Sequence, residues 1–137
     1  MGYFKSSEQF KEVLGGFFLK LFEHPQIGPK LMAANLMIQF VYTDPDLTIS
    51  ADTGKGAPSI LFNDKDFKPD VQLSMKADVA HRFWHGKVNL VAALTRREMV
   101  AKGPIPKILK LLPAIKPAYA LYPQYLKENG WEDLIIK

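Results

Sequence analysis

Apolar residues first fall into register after Ser6. Phe10, Val13, Leu14, Phe17, Phe18, Leu21 and Phe22 recur at i, i+3 and i+4, while Lys11, Glu12, Lys20 and Glu23 take the other side. That period predicts an amphipathic helix, opened by a capping box of Ser6 with Gln9 and stopped at His24-Pro25. Gly15-Gly16 lowers its propensity by roughly 1 kcal/mol per glycine, which leaves close backbone approach and simple tolerance as alternatives. A short helix over Ile27 to Ala34 follows. The pattern then changes. Leu36 to Thr43 is apolar on both faces and predicts a central strand covered on two sides. Asp44-Pro45-Asp46 turns the chain, and the alternating Leu47 to Ala51 returns antiparallel. A turn over Asp52 to Gly56 leads to a third strand, Ser59 to Phe62, and a polar loop leads to a fourth, Val71 to Lys76.

From Val71 to Leu112 strands and short helices alternate. Asp78 is placed to cap a helix from Val79 to His85 that carries the bulkiest apolar pair, Phe83 and Trp84, and ends at Gly86-Lys87. Leu90 to Leu94 is helical, Arg97 to Lys102 is a strand, and Gly103-Pro104 introduces an apolar helix from Ile105. Pro113 and Pro117 break it. Ala118 to Leu126 forms a further helix stopped by Asn129-Gly130, and the tail from Trp131 to Ile136 is apolar enough to pack back. The sum is one α+β domain over 1–137: an N-terminal helix, a five-stranded, mainly antiparallel sheet with a crossover, and C-terminal helices. The Phe10 helix is expected on one sheet face and the Phe83, Ile105 and Tyr119 helices on the other.

The strand VQLSMK, the short helix with its bulky pair, the Gly-Lys after it and the strand ending in Lys-Gly resemble the type-2 sterol carrier protein domain. The resemblance runs from about Leu36 to about Leu112. It implies a lipid carrier with the same five-stranded layout and an apolar cavity between sheet and helices. The implied ligand is a fatty acid, a fatty acyl-coenzyme A or a sterol-like lipid. A non-catalytic accessory or dimerisation module on the same fold is the alternative. Composition alone suits a packed core without a cavity; the resemblance reverses that expectation.

Hydrophobic residues make up 47% of the chain and charged residues 23%, so neither disorder nor a membrane-spanning composition is indicated. There is no cysteine, which removes disulfides, thiolate metal sites and thiol nucleophiles. The N-terminus lacks the apolar core of a signal peptide, and Ile135-Ile136-Lys137 is not a peroxisomal tripeptide, so a cytoplasmic location is expected. Charge divides unevenly: residues 1–75 hold seven Lys/Arg against nine Asp/Glu (−2), and residues 76–137 hold eleven against five (+6). The basic half suits a solvated face or transient contact with an anionic membrane surface.

Candidate chemistry is sparse. His81 and His85 share a helical face but lack a third ligand and a general base, and are read as amphipathic surface. Asp44 and Asp46 are turn residues, and Gly54-Lys55-Gly56 lacks phosphate-loop spacing. There is no GxSxG or GxGxxG, and the aromatics are not interleaved with cations as nucleic-acid binding needs. No enzyme, metal, cofactor or nucleic-acid partner is expected; oligomeric state is left open. Phe10, Phe17, Leu21, Ile38, Phe40 and Leu73 are expected in the core or cavity wall. The pocket is expected against the proline-broken helices rather than under the Phe10 helix. Its expected lining is Phe83, Trp84, Val100, Ile105, Leu109, Leu112, Tyr119 and Tyr122, with the tail around Leu134 closing the mouth.

Overall fold

The computed structural model describes residues 2–53 and 59–136. Helix α1 (Ser7–Phe10) runs through a π-helical turn (Lys11–Gly15) into α2 (Gly16–Glu23). Ser6 Oγ accepts the Gln9 amide at 3.1 Å, and Gln9 Oε1 reaches back to the Lys5 amide rather than to that of Ser6 itself. After α3 (Ile27–Ala33) come β1 (Met37–Thr43), β2 (Leu47–Asp52), β3 (Ser59–Phe62) and β4 (Val71–Lys76). Then α4 (Ala77–Trp84), α5 (Leu90–Thr95), β5 (Met99–Lys102), α6 (Ile105–Leu109), α7 (Leu112–Ile115), α8 (Ala118–Glu128) and a 3₁₀ turn at Glu132–Leu134 complete the chain. The turn expected at Gly54-Lys55-Gly56 lies outside the described residues.

The sheet order is β3-β2-β1-β4-β5. All neighbours are antiparallel except the central pair β1 and β4, which are parallel, with Phe40 opposite Leu73. Strand alternation sends Ile38, Phe40 and Tyr42 to one face with Ile49, Leu73, Met75 and Met99 beside them. α2, α3, α4, α6 and α7 all contribute to cavities against that face.

The expectation of helices on both faces is therefore corrected. The outer face of β1 carries Gln39, which is buried by its cross-strand neighbours on that face and not by a second helical layer. Its Nε2 donates to Ser50 Oγ of β2 at 3.2 Å, and its Oε1 accepts from Gln72 Nε2 of β4 at 2.7 Å. A polar ladder across three strands satisfies these groups without apolar cover. Asp78 is also corrected: Lys76 is the N-cap of α4, and Asp78 lies in its first turn, accepting the Tyr3 amide at 2.9 Å.

Both glycines of the first helix are close approaches. A Cβ on Gly15 would stand 2.7 Å from the Phe62 ring, and one on Gly16 would collide with the Tyr125 hydroxyl. That hydroxyl donates to Val13 O at 2.8 Å, within the π-helical turn. A π turn displaces the usual i→i−4 bonds, and Tyr125 from α8 supplies a partner for one of its carbonyls.

Candidate functional site

Two cavities of about 60 Å³ each lie between sheet and helices. The first is lined by Phe18, Leu21 and Phe22 of α2, Ile27 and Leu31 of α3, and Ile38, Phe40 and Ala51 of the sheet. The second is lined by Tyr42, Leu73, Met75 and Met99 of the sheet, with Ala80 and Phe83 of α4, Leu90 of α5, and Ile108 and Leu112 of α6 and α7. Ile38, Phe40, Trp84, Leu111 and Ile115 contribute to both, so the cavities abut. No charged side chain lines either one. Thr53, at the rim of the first, is occupied: its Oγ1 accepts from Leu36 N and donates to Leu36 O, both at 2.8 Å.

Trp84 holds this centre by edge contacts with Phe17 at 5.4 Å, Phe18 at 5.6 Å and Phe83 at 5.2 Å. Phe83, Trp84 and Leu112, named from the sequence, are among the lining residues. Leu109 is half-buried and outside both linings, and Tyr119 packs on Phe83 at 5.6 Å. Val100 points to the outer sheet face at 44% exposure, and Ile105 is 41% exposed. The second half of the Phe10 helix lines the first cavity, against the expectation that the pocket would avoid it. Leu21, Ile38 and Phe40, expected in the core or cavity wall, are in that lining, whereas Phe22 and the α3 residues are not singled out by the sequence, because a regular apolar stripe looks the same whether it meets a sheet or a void.

Tyr122 is buried for another purpose. It serves His81, which is also fully buried. The two histidines are thus not amphipathic surface. Leu134 O can only accept, so His81 Nε2 carries the proton of their 2.6 Å bond, and Nδ1 accepts the Tyr122 hydroxyl at 2.8 Å. By the same logic His85 Nδ1–H donates to His81 O at 2.8 Å, and Nε2 accepts the Ile136 amide at 3.2 Å. Burial pushes His81 down to about 4, against the opposing pull of the Leu134 bond; His85 is lowered too, mainly by burial. Two neutral imidazoles thereby hold the C-terminal tail on α4. Among the described residues no cluster of His, Cys, Asp and Glu forms a metal site, and no helix is long and apolar enough to cross a membrane.

The profile of the SCP-2 sterol transfer family matches residues 18–116. The chain belongs to that family. Solved structures show the SCP-2 fold at low identity. Sterol carrier protein 2 from Yarrowia lipolytica in its apo form is 18% identical, with a TM-score of 0.62, covering 87% of this chain and 95% of its own. A conserved hypothetical protein of Thermus thermophilus, described as possibly a sterol carrier protein, is 14% identical at TM-score 0.61, covering 90% and 91%. A stereoselective inverting sec-alkylsulfatase from Pseudomonas sp. is 15% identical at TM-score 0.51, covering 63% of this chain but 14% of the enzyme. At such identities the likeness carries fold alone. A search of the curated proteins finds no match to the sequence.

Proposed function

We propose that this SCP-2 family chain carries a single-chain apolar lipid, a fatty acid or fatty acyl group, and transfers it between membranes without catalysis. The observation that supports this is the pair of abutting cavities at Trp84, whose linings hold no charge. A hydrocarbon chain needs such walls, and a polar head group would stay at the rim or in solvent. Phe83, Trp84 and Leu112 are the proposed contacts, with Ile38, Phe40 and Leu111 completing the wall. Ligand pockets are commonly ~300–1,000 Å³, so an incoming chain must displace part of the cover and join the two cavities. The carrier is proposed to work in the cytoplasm.

Native mass spectrometry, followed by organic extraction and mass analysis, tests the reading. A lipid-sized adduct that extraction releases supports it. A bare mass after incubation with excess fatty acid would favour the accessory-module alternative, for which the same fold inside a much larger sulfatase is the supporting precedent.

A further inference from the structure

The cover of the cavities has two sides of different chemistry. Ile108, Leu111, Leu112 and Ile115 stand at i, i+3, i+4 and i+7 and line the cavities from α6 and α7. The opposite side exposes Lys107, Lys110 and Lys116, with Ile105 and Pro106 also in solvent. Between Glu98 and Glu128 the chain has five lysines and no carboxylate. Among the described residues, no ion pair engages these lysines. A surface that pairs unneutralised cations with exposed apolar side chains complements a bilayer of anionic lipid, where the lysines meet head groups and Ile105 meets the acyl boundary.

We propose that the outer side of α6–α7 is a docking surface for an anionic lipid bilayer, and that cargo passes between bilayer and cavity beneath it. This rests on the carrier reading above. The placement has a mechanical reason. Helices of five and four residues, separated by Lys110 and Leu111 and each opened by a proline in its first turn, are too short to be stable alone. They hold their place through the apolar stripe on the cavities. Once Ile105 and its neighbours find acyl chains to contact, that stripe loses little by leaving the protein, so the cover opens where lipid is available and stays shut in water.

The test uses the full chain with vesicles of phosphatidylcholine, alone or with phosphatidylserine, at about 0.1 M and about 1 M salt, where the Debye length falls from about 10 to about 3 Å. Attachment is expected to need phosphatidylserine and to be lost at high salt. The variant Lys107→Glu/Lys110→Glu/Lys116→Glu should attach at least about tenfold less, while Lys65→Glu/Lys68→Glu, on the loop before β4, should attach as the unaltered chain does. Trp placed by Ile105→Trp should shift its emission to the blue on anionic vesicles and not with soluble glycerophosphoserine. Equal attachment to neutral vesicles, undiminished attachment of the triple variant, or the same shift with the soluble head group overturns the proposal. Fluorescent fatty-acid binding without vesicles separates the two readings. Its absence in the unaltered chain sinks the carrier function; its presence alongside lysine-independent attachment sinks the docking surface alone.

Discussion

His81 Nε2 lies 2.6 Å from the carbonyl oxygen of Leu134, fifty-three residues away, with no solvent reaching the imidazole. The bond joins the first helix after the central strands to the last turn of the chain. Tyr122 closes the other ring nitrogen, and the rings of Tyr3 and Phe4 pack on it at 4.7 and 5.1 Å. Both ends of the chain therefore meet at one neutral histidine.

Acid should loosen this clasp. The His81 pKa is about 4 in the folded protein against 6.5 ordinarily, so the unfolded chain binds the proton more tightly. Stability is complete above pH ~6.5 and lost as pH falls towards ~4, by about 2 kcal/mol at pH 5 and about 3 kcal/mol at the bottom of the window. His85 acts in the same direction. Asp78 opposes the shift, and Arg82 and Lys87 reinforce it. Urea unfolding across pH 4–7 should show this slope, and His81→Gln should flatten it. A slope unchanged in that variant would assign the acid sensitivity elsewhere.

Gly16 and Tyr125 should be coupled. Gly16→Ala adds helix propensity but drives a methyl into the Tyr125 hydroxyl, which is bound to Val13 O. A net loss of about 1–3 kcal/mol is expected in place of the usual gain of about 1. Tyr125→Phe alone should cost about 1 kcal/mol and should relieve part of the Gly16→Ala penalty. A strictly additive double-mutant cycle in chemical denaturation would refute the contact.

Phe17→Ala should cost about 3–5 kcal/mol, measured by thermal or urea unfolding. Phe17 is fully buried among the rings of Trp84, Tyr122 and Tyr125. A loss below about 1 kcal/mol would mean that the site collapses around the deletion and that the aromatic centre is not close-packed.

Trp84 should report cargo. With Trp131→Phe leaving Trp84 as the single indole, fatty acids of rising length should change its emission. Affinity should improve by ~0.8 kcal/mol per methylene, about fourfold each, until the joined cavities are full. Binding confirmed by calorimetry with silent Trp84 emission would move the pocket away from α4.

Much of the architecture was legible from local pattern. The i, i+3, i+4 stripe from Phe10 to Phe22, the alternation of Val71 to Lys76 and the turn residues at Asp44 to Asp46 each state a backbone period, and period depends on neighbours within a few residues. The resemblance within Val71 to Leu112 added the strand arrangement and the idea of a cavity. What the chain could not state locally was which surfaces meet. Gln39 sits in an apolar strand and suggests nothing about Ser50 or Gln72 until β2 and β4 flank it, so the one-sided sheet was hidden. His81 resembled a surface residue because its partners, Tyr122 and Leu134, come from distant segments. Part of the lining was hidden for the same reason: Phe22 has the same periodicity whether a sheet or a cavity faces it, and Val100 alternates to the outer face only once β5 is in register with β4. Hydrophobic patterning decides that a side chain is to leave water; the packing of distant elements alone decides what it meets there.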